Sequence, residues 1–293
     1  CNFRNGAKVT LLERNPRIGK KILATGNGRC NFTNINTDVT FYHGNNPKFT
    51  AKALTYFNCN DTIRFFEELG IAHKIEDLGK VFPMSNQASS FLDVLLYELN
   101  EIDVNITCEA FVKNIKPKKN NFITELENGS KLQSDKVILA TGGKAMPSTG
   151  SDGNGFQLAK NLGHSVTDVF PGLVQLKLEG SFFKQIEGVK LIGAAEVLYK
   201  NKVVAKDRGD ILFANYGVSG PPILQISRKA AELLNEKKEA ILKLNLMDTM
   251  TKEDLKKLIA TRIDYRPKKP LELSMVGLIN KRLIPVLLKE AGL

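Results

Sequence analysis

The apolar positions along the chain alternate between two textures. Residues 7–13, "AKVTLLE", are β-prone with loosely alternating apolar positions and end on an acid, which predicts a buried strand. Residues 49–57 and 61–69 carry helical spacing, with Asp61 as the expected cap of the second helix and Gly70 as its stop. In "QASSFLDVLLYELN" (87–100), Phe91, Val94, Leu95 and Leu99 share one helical face. Short strands follow at 103–107, 110–116 and 121–126, with a turn at "ENGS", and "DKVILATGG" (135–143) predicts a second buried strand that stops on paired glycines. A helix restarts over 153–163. Beyond "FPG" (170–172) the texture changes to short strand candidates at 173–178, 191–199, 202–206 and 209–213, the mark of a separate β-rich unit. Pro221 and Pro222 open a helix to about residue 235, since proline fits the first turn, where no amide donor is needed. A strand at 240–246 precedes a basic helical stretch from 251, broken at "PKKP" (267–270).

Composition narrows the class. With 293 residues, 42% apolar and 25% charged, the chain is sized for one large or two ordinary globular domains. There is no apolar run of the ~18 residues that a membrane helix needs, and no signal-peptide pattern, so a cytoplasmic protein without a membrane partner is expected. Cysteines at 1, 30, 59 and 108 form no CxxC pair, and His43, His73 and His164 have no metal-ligand spacing, which argues against zinc and against a disulfide framework. The net charge is +11, unevenly spread: residues 1–171 carry 20 Lys and Arg against 17 Asp and Glu, and residues 172–293 carry 22 against 14. Such a bias fits either a solvated basic surface or a polyanionic partner, with RNA ahead of a membrane. Lys252, Lys256 and Lys257 are candidate contacts for RNA.

The densest chemistry sits at 20–34, "KKILATGNGRCNFTN". Small residues there let backbone approach a flat ligand, Thr25, Asn31, Thr33 and Asn34 offer donors and acceptors, and Lys20 and Lys21 can neutralise a pyrophosphate. The alternative is a polar surface loop. Glu13 ends its strand where a dinucleotide fold places its ribose-binding acid, about 20 residues after a glycine fingerprint. Only twelve residues precede it, and no GxGxxG occurs in the chain.

Taken in order, "VTLLERN", "GKKILATGNGRCNFTN", "KVFPMS", "KVILATGGKAMPSTGSDGNGF" and "GDILFANYGVSGPPIL" resemble the YhiN-type, or aminoacetone-oxidase-family, flavoproteins over nearly the whole chain. The resemblance implies an α/β, doubly wound FAD-binding domain of the glutathione-reductase-like type, with an inserted β-barrel-like domain and a small helical segment. It places part of the FAD domain in residues 1–171, the β-rich insert in 172–250 and part of the helical segment in 251–293. The family's opening GxGxxG strand and its closing flavin-contacting segment have no counterpart here. The chain therefore reads as an internal stretch of a longer protein, expected not to retain FAD by itself. Asn215 stands where the family often has His.

Carried over by position, Glu13 falls on the adenosine ribose, Lys21 near the pyrophosphate, and the 25–34 loop (Thr25, Gly26, Gly28, Arg29, Asn31 and Thr33) on the isoalloxazine. The backbone at Val112 meets the adenine, and Thr141, Gly142 and Gly143 line the ribose–phosphate side. The implied activity is that of an FAD-dependent oxidoreductase passing a hydride from reduced N5 to a C=C conjugated to a carbonyl. Uridine in ribosomal RNA is one candidate substrate, and NAD(P)H one candidate electron donor. Arg29 is the candidate for polarising the carbonyl. Cys30 is read either as a proton donor or, preferentially, as a small buried thiol. The rival readings are a small-molecule flavin reductase or oxidase, and a non-catalytic RNA- or protein-binding module with a vestigial flavin site.

Overall fold

The computed structural model describes residues 6–44 and 46–293. The chain divides into two compact units, one ending at Thr167 and the other running from Asp168 to Leu293. No helix among the described residues is long and apolar enough to cross a membrane.

The first unit runs β1 (Thr10–Leu12), α1 (Lys20–Ala24), β2 (Thr33–Asn34), α2 (Thr50–Tyr56), α3 (Cys59–Glu68), β3 (His73–Ile75), β4 (Lys80–Pro83), α4 (Ala88–Glu101), β5 (Asn105–Thr107), β6 (Val112–Lys118), β7 (Asn121–Leu126), β8 (Lys131–Ser134) and α5 (Asn154–Asn161). β1 and β5 form a parallel pair, β2-β4-β3 and β6-β7-β8 are antiparallel sheets, and the expected α/β class holds. The α3 helix begins earlier than its pattern predicts. Asn58 is its N-cap and accepts from the Asp61 amide, while the Asp61 carboxylate accepts from the Asn58 amide. Asp61 is thus the third residue of a reciprocal capping box, two orphan donors being satisfied at once. Behind the 25–34 loop, α4 contributes Ala88 and Phe91 to an apolar cluster with Cys30 and Ile71. Phe32, Phe66 and Phe91 stack within it at centroid separations of 4.5–5.4 Å.

Two expected buried strands differ from the structure. β1 is only half-buried, because its sheet holds just one neighbour. Residues 135–143 form no strand, and Ile138 is 87% exposed. No strand among the described residues lies alongside to take up their backbone hydrogen bonds, and apolar composition alone does not make a strand.

The second unit runs β9 (Leu176–Lys177), α6 (Phe183–Ile186), β10 (Lys190–Tyr199), β11 (Lys202–Ala214), β12 (Gly217–Ser219), α7 (Pro221–Asn235), β13 (Ile241–Asn245), α8 (Lys252–Tyr265), α9 (Leu271–Met275) and α10 (Ile284–Glu290). Its antiparallel sheet has the order β13-β10-β11-β12-β9. The two strands expected at 202–206 and 209–213 are one continuous strand, paired with β10 through a bulge at Val197/Leu198. The α7 helix turns Ile223, Ile226, Ala230 and Leu233 onto a core with Val197, Ile211 and Val218. The one polar side chain fully buried on that helix is satisfied: Ser227 Oγ donates to the Leu224 carbonyl (2.7 Å) and accepts from the Val174 amide (3.0 Å).

Candidate functional site

The loop after α1 reverses the chain through consecutive left-handed residues, Gly26, Asn27 and Gly28, and again at Cys30. At Gly26 a side chain is excluded sterically: a Cβ there would lie 2.5 Å from the Asn31 amide nitrogen and 3.0 Å from the Phe82 ring. At Gly28 a Cβ would meet nothing, so the loop presents bare backbone to open space. The turn is pinned by Arg29 N–H to Gly26 O (3.2 Å), Cys30 N–H to Thr25 O (3.1 Å) and Phe32 N–H to Val81 O (3.0 Å). The Asn31 side-chain amide faces the carbonyls of Val81 (3.2 Å) and Thr33 (3.0 Å) and donates to both. Thr25 and Thr33 direct their hydroxyls into the scaffold, toward Ile22 O (2.6 Å) and Cys59 Sγ (3.7 Å).

This loop and β4 wall a groove of about 540 Å³ lined by Gly26, Asn27, Arg29, Asn31, Glu76 and Phe82, with Asp77 and Lys80 completing it. Arg29 is its centre. One guanidinium nitrogen donates to both Glu76 carboxylate oxygens at 3.0 Å, and the group lies 4.0 Å over the Phe82 ring. Lys74 reaches the same carboxylate at 2.9 Å. The hydrogen bond from Lys74, and then Arg29, hold the Glu76 carboxyl below its ordinary range, so it stays ionised. The other guanidinium nitrogens of Arg29 bond to no protein group among the described residues. Arg29 is therefore clamped on one edge and open on the other, the arrangement suited to a charge-assisted bond to a ligand oxygen.

Cys30 does not face this groove. It is 4% exposed, inside the apolar cluster, and burial pushes its thiol up while the Thr25 hydroxyl opposes that shift. This placement fits the buried-thiol reading, because an apolar surround disfavours the charged thiolate and keeps the thiol out of the groove.

A second constellation forms around the end of β1. Glu13 accepts from the backbone amide (2.8 Å) and side-chain amide (2.7 Å) of Asn15, which also donates to Thr149 O (3.2 Å). Arg14 pairs with Asp152 and covers the Phe111 ring at 4.8 Å; the hydrogen bond from Arg14 is the main cause of the lowered Asp152 carboxyl. Asn154 donates to Val112 O (3.3 Å). A Cβ at Gly155 would overlap the Thr141 hydroxyl at 1.9 Å, and Gly142 and Gly143 approach Ser151 and Phe156. The 147–156 segment thus gathers Glu13, Val112, Thr141, Gly142 and Gly143. Lys21 lies half-buried in the last turn of α1, with no ion pair to a described residue. Sequence reasoning named none of Glu76, Asn27, Arg14, Asp152 and Phe82; all but Glu76 lay inside the noted blocks, whereas a lone loop acid such as Glu76 carries no local signal.

On the second unit, much of the sheet's positive charge is already matched. Glu196 lies between Lys206 (2.9 Å) and Lys243 (3.0 Å), Lys190 meets Asp210 (3.0 Å) and Arg208 meets Asp248 (2.6 Å). Lys252, Lys256 and Lys257 are exposed and in no ion pair with a described residue.

Residues 2–252 match the profile of the HI0933-like protein Rossmann domain. Over 283 residues the chain is 39% identical to a 3-dehydro-bile acid delta(4,6)-reductase of Clostridium scindens, covering 97% of this chain and 69% of that protein. It is 31% identical to a ribosomal RNA dihydrouridine synthase of Escherichia coli, over 76% of this chain and 55% of that protein. The same-named protein of Haemophilus influenzae is 26% identical over 97% of this chain and 69% of its own length. The chain belongs to the HI0933-like family, a group of FAD-binding oxidoreductases with a Rossmann-like α/β fold.

Proposed function

From that membership we propose that this oxidoreductase, with FAD bound, reduces a carbon–carbon double bond conjugated to a carbonyl. The observation that carries the reading is Arg29, which lines the groove, is fixed by Glu76 and Phe82, and has guanidinium nitrogens that bond to no described residue. Two relatives support it. A delta(4,6)-reductase and a dihydrouridine synthase both name the saturation of a ring double bond.

The residues present fit a flavin. The bare backbone at Gly28, the Asn27 side chain and Lys80 offer donors to a polar ring edge, and the groove volume lies within the ~300–1,000 Å³ of small-molecule sites. Glu13 would hold the ribose, Lys21 the pyrophosphate, the Val112 backbone the adenine, and Thr141, Gly142 and Gly143 the ribose–phosphate side. Bound FAD supplies the hydride, and NAD(P)H is the proposed source of its electrons. Arg29 binds the substrate carbonyl and stabilises the negative charge that develops on its oxygen, a type of interaction whose loss costs about 10²–10³ in rate. Glu76 is ionised and Cys30 is buried, so the proton for the carbon beside the carbonyl comes from water in the open groove or from the Lys80 ammonium that lines it. In this reading residues 1–171, 172–250 and 251–293 keep the roles of FAD domain, insert and helical segment.

Uridine in ribosomal RNA is the second substrate reading, favoured by the two dihydrouridine synthase relatives and by the net charge of +11. One experiment covers both. The full-length protein, flavin-loaded and reduced without oxygen, is mixed with a steroid 4-en-3-one and, separately, with ribosomal RNA. The reading expects reoxidation of the flavin with a product carrying two added hydrogens. Reoxidation by neither substrate would contradict it, and mapping dihydrouridine in the RNA tells the two substrates apart.

A further inference from the structure

Leu78 occupies the turn between β3 and β4, flanked by Asp77 and, two residues on, Lys80, both of which line the Arg29 groove. Its backbone is left-handed (φ 61, ψ 21), a conformation that a side chain with a Cβ resists and that glycine or asparagine adopts at lower cost. Its side chain is 73% exposed, so it gains little from core packing. Nothing in folding alone accounts for a leucine there.

The turn is nevertheless built to hold it. The side-chain amides of Asn34 (3.0 Å) and Asn36 (3.5 Å) both donate to the Leu78 carbonyl. The Ile35 amide donates to Gly79 O (2.9 Å), and the Gly79 amide to Glu76 O (3.1 Å). At Gly79 a Cβ would stand 2.7 Å from both Asn34 Oδ1 and Ile35 Cγ1, so the two segments meet with no space between them. They expose two apolar side chains, Leu78 and the 47% exposed Ile35, on the segments next to Asp77 and Lys80, which line the groove. The same turn carries Glu76, the residue that aims Arg29.

We propose that Leu78, seconded by Ile35, is a specificity-determining contact that receives the apolar ring system of a hydrophobic fused-ring ketone whose carbonyl lies at Arg29. The proposal rests on the enone-reductase reading above and names its substrate class. A backbone strained in order to expose an apolar group is accounted for when a ligand buries that group. Arg29 and Lys74 neutralise Glu76, and Lys80 accompanies Asp77 in the lining, so it is the exposed apolar pair, not the charge, that favours a hydrophobic ligand over a phosphate chain.

The test uses the flavin-loaded holoenzyme and its Leu78→Gly, Leu78→Asn and Leu78→Met variants. Binding of a saturated steroid 3-ketone is measured by titration, and thermal midpoints are recorded alongside. Glycine and asparagine suit the backbone, so their midpoints should equal or exceed that of the parent. Their affinity for the steroid ketone should fall about tenfold or more, the loss expected when a leucine is no longer buried, whereas Leu78→Met should retain most of it. The ratio of kcat/KM for a steroid enone over cyclohex-2-enone should fall in parallel. Unchanged steroid-ketone affinity in the Gly and Asn variants would overturn the proposal, as would failure of the parent to bind that ketone or a loss confined to RNA binding. Tight, Leu78-dependent ketone binding with no enone turnover would support this contact while contradicting the reductase reading.

Discussion

β10 and residues 135–143 look alike as sequence: each is an apolar, β-prone run next to glycine. In the structure they part. β10 has β11 on one side and β13 on the other, with α7 laid across it, and its Ala195 and Val197 are sealed from water. Residues 135–143 have no neighbouring strand among the described residues, and Ile138 stands almost fully in solvent. What separates them is partnership, not composition. A strand is stabilised by pairing on its edges and packing on its faces, and the sequence of one segment specifies neither.

The sharpest way to break this comparison is to truncate one isoleucine in each setting. Ile223 projects from α7 into the core with no exposed surface. Ile223→Ala should cost the second unit about 2–5 kcal/mol, the usual range for a large-to-small change in a packed core. Ile138→Ala should shift stability by no more than about 0.5 kcal/mol, as at other exposed sites. Denaturant titrations of both variants decide the matter, and comparable losses would mean that 135–143 is packed after all.

A smaller contrast sharpens the groove itself. Gly26 and Gly28 both have positive φ, but only at Gly26 would a Cβ strike backbone. Gly28→Ala should cost about 1 kcal/mol from backbone strain alone. Gly26→Ala should cost more, because Asn31 must move, and it should displace Arg29 along with the turn. Comparing thermal midpoints and flavin retention of the two variants tests this. Equal effects would show that left-handed backbone, rather than close approach, is what the loop requires.

Much of this architecture was legible in the sequence, and the exceptions are instructive. The α7 helix was visible from its two prolines, and the structure buries Ile223, Ile226 and Ala230 along it, so local preference and burial agree there. The boundary of α3 was displaced because Asp61 takes part in a capping box rather than acting as the cap, and the first partner, Asn58, precedes the apolar pattern. The crowding of small and donor residues at 25–34 marked the groove. Its most informative residue, Glu76, could not be found that way, since a pairing with Arg29 across 47 positions exists only once β2, β3 and β4 fold together. Cys30 is the reverse case, where the preferred reading as a small buried thiol agrees with the structure. It lies in the most chemically suggestive stretch of the chain, yet its side chain turns back into the core with Phe91 and Ile71.

The central claim is that Arg29, clamped by Glu76 and Phe82, polarises the substrate carbonyl. The most direct test is a rapid-mixing measurement of reduced-flavin reoxidation by a steroid enone in Arg29→Gln and in the parent, with the flavin spectrum confirming that both remain loaded. The account predicts a fall of about 10²–10³ in the rate constant with flavin still bound. A flavin-loaded Arg29→Gln enzyme that turns over at the parental rate would contradict it.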